Sequence, residues 1–458
     1  MKPAREPGIA QLAEQLRAGE MSPVALAQRV LARIEAHDGA VHAFIHVDPQ
    51  TLLRDASAAE AEIARGAWRG PMHGIPIAIK DNIDVAGMRT TCHSAILRDA
   101  PPAQADADVV AQLRAAGAVV VGKTALHEFA IGGPTNELPW PAARNPWNLA
   151  LHPGGSSSGS AAAVAAGFVP GAVGTDTSGS VRNPATCCGI VSIKPTYDLV
   201  SRRGVFPLAF SLDHIGPMAR DALDCAHLLD AMIDPAHAHA HAGANARAAR
   251  EGAERGIAGM RIGVVEHLHT EDAKAHPSIV AGFEAAVAKL RELGADVRTA
   301  RLAPLDQWNA CCRVIQQAEQ YAVHEKWLQS RPGDYCEISR RKLLAGAFVP
   351  ARDYIRAMQA RAVLCRGFAE TLRSFDALVL PSALEPPCEL DDAHAVAATY
   401  ERHLRAPFSV TGTPAMAMPV GLGEDGVPLG VQLAGGAWQE PVLFRIAAAF
   451  GHSTSCFA

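Results

Sequence analysis

No stretch of about 20 apolar residues occurs in this chain, because its alanine-rich runs are broken by glycine, proline or charge; the sequence offers no membrane-spanning helix. Runs of like charge are also missing. With 47 acidic and 42 basic residues and a formal net charge of -5, nothing tracks a phosphate backbone, which argues against nucleic acid as the primary partner. The ten cysteines show neither C-x-x-C metal spacing nor a disulfide framework. They read as reduced thiols of a cytoplasmic chain. The amino terminus carries acids and arginines throughout and lacks the apolar centre of a secretory signal. Lysine is scarce, eight of the 42 basic residues, so a lysine beside an apolar run invites a question.

What is present is enough apolar residue, 49% of 458, to bury a large core. Ser22 and Pro23 open a helical pattern that the sequence closes at Gly39. IPIAI at 75–79 and AGAVVVG at 116–122 are short apolar runs bounded by turn residues, as buried strands are. RIGVV at 261–265, DALVLPSA at 376–383, and the pair AMAMPVGL and LGVQLAG around Asp425 and Gly426 read as further strands, the last two as a hairpin. Helical patterns cover 304–328 and 350–375. Residues 151–196 are rich in glycine, serine and alanine but too apolar for disorder, with a helix-forming patch closed by Gly167. The expected fold class is α/β, one large mixed β-sheet covered by helices on both faces, in a single domain over 1–458. The biased segment at 235–259 is expected to be a surface loop or a short helix. Its alternating His237, His239 and His241 lack carboxylate or thiol companions and predict no metal site.

Three segments carry chemistry: IPIAIKDN at 75–82, PGGSSSGSAAA at 153–163 and GTDTSGSVRNPA at 174–185. The second contains a formal G-x-S-x-G around Ser157, but an α/β-hydrolase elbow needs a strand directly before the serine, and here Pro153 intervenes. A phosphate loop would need GxxxxGK[ST], and no lysine follows the glycines. Close packing of small residues would explain either loop singly, not both together with a lysine at a strand end.

Taken together, the three segments resemble the amidase signature family of serine hydrolases. That family's lysine after an apolar strand, GGSS loop and D-x-x-G-S-x-R loop are matched by Lys80, by 154–157 and by 176–182, and flanking stretches such as GKTALHEFAIGG, RNPWN, SLDHIGPMARD and GTPAMAMPVG agree. The resemblance covers nearly the whole chain, with 70–220 as the core carrying the loops. It implies Ser180 as nucleophile, Ser156 as a bridging serine after a cis peptide bond, and Lys80 as base, with no metal or cofactor. Thr177, Ser178, Gly179 and Ser180 are the expected oxyanion-hole residues, although Ser178 stands where the family has glycine. Phe129, Ala130, Ile131 and Gly132 match the segment lining the acyl side of the cleft and, with Ser157, are expected to bind a substrate tolerant of hydrocarbon. Arg182 is expected to brace the loop, and Lys194 after IVSI to be structural. Asp198 is a further departure from a family glycine.

The chemistry has its own argument. A serine hydroxyl is a poor nucleophile until its proton is removed, and a lysine can remove it near pH 7 only if burial lowers its pKa by about three units from roughly 10.4, at a cost of about 4 kcal/mol. The main expectation is an amidase that hydrolyses a small carboxylic amide to acid plus ammonia or amine, with a small-molecule partner and a homodimer left open. One alternative is the glutaminase subunit of a tRNA-dependent amidotransferase; another is a non-catalytic anion-binding protein. ISRRKLL at 338–344 resembles a stretch where that glutaminase places an arginine for the substrate carboxylate, which nominates Arg340 or Arg341. The acid it uses for the α-amino group would fall near Arg402, an inverted charge that disfavours glutamine and favours an anionic or carbonyl-rich amide if Arg402 faces the cleft.

Overall fold

A computed structural model describes residues 6–242 and 248–453. Eleven strands form one mixed sheet: β1 (Phe44–Val47), β2 (Pro76–Lys80), β3 (Val119–Thr124), β4 (Gly171–Asp176), β5 (Val191–Lys194), β6 (His214–Ala219), β7 (Arg261–Val264), β8 (Asp296–Thr299), β9 (Ala377–Pro381), β10 (Ala415–Leu422) and β11 (Pro428–Ala434). Their spatial order is β1-β3-β2-β4-β6-β5-β10-β11-β9-β7-β8. β2 runs parallel to both β3 and β4, and β7 parallel to β8 and β9, while the middle of the sheet is antiparallel. The expected hairpin is β10 against β11.

Helices cover both faces, which is why β2 and β3 read as continuous apolar runs. Alternate residues still part company: Ile77, Ile79 and Val120 join the core cluster that contains Ile9 and Leu12, whereas Ala78, Val119 and Val121 pack with the alanine helix Ser158–Ala165. That is the two-residue period of a pleated strand. β4 went unread in the sequence because it is built from small residues. A Cβ at Gly174 would lie 2.6 Å from Ser157 Oγ, so smallness there admits a neighbouring loop.

One boundary is corrected. The helix opened by Ser22, whose hydroxyl accepts the Ala25 amide, runs through Gly39 to Val41 and stops where His42 turns left-handed. The segment at 235–259 opens with a short helix, Pro235–Ala242; residues 243–247 and the side chain of His241 lie outside the described residues. There His237 meets the Asp198 carbonyl at 3.0 Å. No helix among the described residues is long and apolar enough to cross a membrane.

Candidate active site

Lys80 is the last residue of β2 and Thr175 the next-to-last of its parallel neighbour β4, so the carboxyl ends of adjacent strands bring them together. Crevices beyond such strand ends are where ligands bind in α/β sheets. Lys80 is fully buried, and its ammonium nitrogen donates to Ser156 Oγ at 2.8 Å and to Thr175 Oγ1 at 2.7 Å. Asn82 Nδ2 donates to the same threonine oxygen at 3.2 Å. Burial draws the Lys80 pKa from 10.5 down to about 7, against the pull of Asp176 and Asp213. The sequence argument missed Thr175, which stands inside a segment it singled out but belongs to the strand and not to the loop.

Ser156 follows a cis Gly155-Ser156 peptide. The His127 ring lies over Gly155, where any Cβ would fall 2.1 Å from it. Ser156, Ser178 and Ser180 line one cavity of about 260 Å³ with Ala130, Ile131 and Gly132. Its far walls bring His127, Asn309, Lys342, Tyr400, Glu401 and His403 from elements remote in sequence. Lys80 and Ser156 are thus in contact, and Ser180 shares the cavity. No hydrogen bond joins the Ser156 and Ser180 hydroxyls; the two loops are tied by the Ser157 amide, which donates to the Ser180 carbonyl at 3.1 Å.

Asp176 organises the loop that carries Ser180. Its carboxylate accepts the Gly179 amide at 2.7 Å, the Val181 amide at 3.2 Å, and two Arg182 donors at 3.0 Å each. Burial pushes its pKa up, but the Arg182 charge and hydrogen bonds hold it well below the usual carboxylate range. Arg182, itself fully buried, also reaches the Arg405 carbonyl and Ser409. It braces the loop as expected, and it does not line the cavity.

Several expected site residues are corrected. Gly179 cannot serve the oxyanion hole as a free donor, because its amide is held by Asp176; the amides of Thr177, Ser178 and Ser180 have no partner among the described residues. Ser178 takes no strained angle, since the positive φ of this loop, 119°, falls on Gly179, where a Cβ would also meet Arg405 Cδ at 2.5 Å. Asp198 does occupy a left-handed position, with φ 61°, and its carboxylate pairs with Arg202. Ser157 is buried beneath the cavity with its hydroxyl on the Thr175 carbonyl at 3.2 Å, which removes both the substrate contact and the hydrolase elbow. Phe129 turns away into a cluster with Phe206, His324, Trp327 and Tyr335. Only Ala130, Ile131 and Gly132 of that segment reach the cavity, and its polar far wall departs from the expected hydrocarbon lining. Arg340 and Arg341 both pair with Glu337, and Arg402 pairs with Asp306 at 3.0 Å; none lines the cavity. Their neighbours Lys342 and Glu401 do. With Arg402 outside, the inverted charge no longer argues against glutamine. Lys194 is structural as expected, donating to the Thr413 and Pro195 carbonyls at 2.7 and 3.0 Å.

Comparison with known proteins agrees over nearly the full length. The amidase family profile matches residues 25–444. A glutamyl-tRNA(Gln) amidotransferase subunit from Symbiobacterium thermophilum, of the A type, is 37% identical over 96% of this chain and 95% of its own. Among solved structures, a chain from a vestigial protein complex linked to the origins of an s-triazine catabolic enzyme superposes with a TM-score of 0.90, 32% identity and 98% coverage of both chains. The peptide amidase of Stenotrophomonas maltophilia gives 0.86, with 31% identity over 100% of this chain and 98% of that one.

Proposed function

This chain belongs to the amidase family, and on that premise we propose that it hydrolyses a small carboxylic amide through an acyl-enzyme on Ser180. The observation that carries the reading is the 2.8 Å bond between Ser156 and a Lys80 that burial leaves titrating at about 7. A neutral amine next to a hydroxyl at neutral pH is a general base. Thr175 takes one Lys80 N–H, which leaves the lone pair for Ser156.

In acylation the Ser180 oxygen attacks the amide carbon while its proton passes to Ser156 and the Ser156 proton passes to Lys80. The link between Ser180 and Ser156 closes when substrate binds, as catalytic hydrogen bonds commonly do. The amides of Thr177, Ser178 and Ser180 receive the negative charge that grows on the carbonyl oxygen, each donor worth about 3 to 4 kcal/mol. The C–N bond then breaks as Lys80 returns the proton through Ser156 to the leaving nitrogen. Water, deprotonated by the same relay, cleaves the ester, releasing the acid and regenerating Ser180.

A second reading is favoured by the names of relatives such as that from Symbiobacterium thermophilum: a glutamine-hydrolysing subunit that works beside protein partners. Both readings use the same relay and differ in substrate and company. A fluorophosphonate probe tests the shared chemistry: it should label wild type and Ser157→Ala but not Ser180→Ala, and labelling that survives Ser180→Ala would end the proposal. Ammonia release from short amides by the isolated chain supports the stand-alone reading, and glutamine turnover only with partner subunits the second.

A further inference from the structure

His93, His152 and His214 are buried, and each uses its ring on the protein. His93 meets the Leu126 and Trp140 carbonyls at 2.6 and 3.0 Å, and His214 meets the Leu212 carbonyl at 2.7 Å and the Lys194 ammonium at 3.2 Å. His152 Nδ1 accepts the Gly154 amide at 3.0 Å. His127 differs from all three. Its ring borders the cavity that holds Ser156 and Ser180, yet its Nε2 is buried with no hydrogen-bond partner among the described residues. Unpaired buried polar groups are rare in native proteins, so this one calls for a partner from outside the chain. His403 also lines the cavity with an unpaired ring nitrogen, but its main chain is anchored to Asn309. The main chain of His127 is anchored to Ser156 itself, whose carbonyl accepts the His127 amide at 3.1 Å, and its ring lies against Gly155, one residue before that serine.

Expulsion of the leaving group fixes what must stand at that place. The electron pair of the breaking C–N bond stays on the nitrogen, which takes its proton from Ser156. The nitrogen therefore has to lie beside the Ser156 hydroxyl with its lone pair turned towards it. Its N–H bonds then point to other walls, where each needs an acceptor. A neutral imidazole has one acceptor nitrogen. Burial lowers the His127 pKa well below the ordinary imidazole, so the ring keeps that lone pair at neutral pH. An ester's leaving oxygen has no N–H to offer it.

We propose that the His127 ring accepts an N–H of the leaving nitrogen and so tunes this site towards amides over esters. This rests on the acyl-enzyme reading above and deepens it. No proton moves to the imidazole, whose part is to hold the nitrogen so that its lone pair faces Ser156.

The test compares kcat/KM of the full chain for butyramide, benzamide and glutamine with that for the matching methyl ester of each, with fluorophosphonate labelling of Ser180 as a parallel readout. His127→Phe keeps a ring over Gly155 and removes both nitrogens. For the pair that wild type turns over fastest, the amide-to-ester ratio of this variant should fall about 10-fold with labelling retained, equivalent to about 1.4 kcal/mol, as a neutral hydrogen bond supplies. His127→Gln keeps an acceptor and should stay within about 3-fold of the wild-type ratio. A larger fall in His127→Gln overturns the proposal, as does a labelled His127→Phe that keeps the wild-type ratio or loses amide and ester turnover in equal measure. Should His127→Phe not be labelled, His127→Gln decides alone, and loss of labelling in both overturns the proposal because the ring is then structural. A labelled wild type that releases no ammonia from any of the three amides also overturns it, since no nitrogen is being expelled. Absence of both labelling and turnover in wild type would remove the acyl-enzyme reading and this proposal with it.

Discussion

The Thr175 hydroxyl accepts a 2.7 Å hydrogen bond from the Lys80 nitrogen, which also bonds Ser156 at 2.8 Å. Thr175 therefore sets where the Lys80 lone pair points. Thr175→Val keeps the shape and removes the acceptor. We expect kcat to fall about 10- to 100-fold with KM nearly unchanged, within the ~100- to 10,000-fold range of general-base effects. A hydroxyl that accepts from the ammonium favours the charged form, so its loss should also move the acidic limb of the pH profile to lower pH. An unmoved limb would leave Thr175 with a packing role only.

Lys80 must be neutral to act as base, so kcat/KM should fall as pH drops through about 7. Stability carries the opposite signature to most buried charges. Between pH 7 and 10.5 the unfolded chain holds a proton that the folded chain lacks, so wild-type stability should rise with pH across that window. At pH 7 burial of this amine costs about 5 kcal/mol, at 1.36 kcal/mol per unit. Lys80→Met removes that cost and strands the Ser156 hydroxyl at about 1 to 3 kcal/mol, while Thr175 keeps its bond from Asn82. The variant should be inactive, with a Tm at pH 7 no lower than wild type and an advantage that shrinks towards pH 10; thermal melts at both pH values check this.

Adjacent loop positions should respond in opposite ways. Gly179→Ala forces a Cβ into a residue at φ 119° and within 2.5 Å of Arg405, and activity should drop by about 100-fold or more as the loop shifts. Ser178→Gly changes no strained angle and should stay within about 3-fold of wild type, near the scale of backbone-entropy effects. Steady-state kinetics on the two variants separates them.

Arg182 and Asp176 form an ion pair with no solvent exposure. Arg182→Met leaves a buried carboxylate without its cation and should lower stability by about 3 to 5 kcal/mol, read from the urea midpoint. Making Asp176→Leu in the same chain should restore part of the loss while activity stays absent, because the Gly179 and Val181 amides remain untied.

Phe129 belongs to an aromatic cluster. Phe129→Ala should cost about 3 to 5 kcal/mol in stability and leave the ratio of kcat/KM values between substrates unchanged. A changed ratio would return Phe129 to the cavity wall.

Much of the fold was legible because burial on both faces writes strands as unbroken apolar runs, as at 75–79 and 116–122. β6 was hidden for a local reason. Pro217 stands in a central strand, a position that normally argues against one, but pairing with β5 ends at Met218. Lys80, Ser156 and Ser180 were nominated by the resemblance of their segments to the amidase signature, and the structure brings them to one place; the reading failed where direction mattered. Successive helical residues point about 100° apart, so Arg341 and Lys342 lie next to each other in sequence and face different surroundings. Glu401 and Arg402 divide because the helix Ala393–Glu401 ends between them and Arg402 continues in extended backbone.

The amino-acid order alone thus determined the apolar strands, the serine-rich loops and the lysine at a strand end, since each depends on neighbours a few residues away. Which loop amides stay unpaired, which cation faces the cavity and which aromatic is core were decided only by packing between distant segments. Lys342 meets Gly132 across 210 residues and Arg182 meets Ser409 across 227, and no local pattern encodes which of several similar side chains will find such a partner.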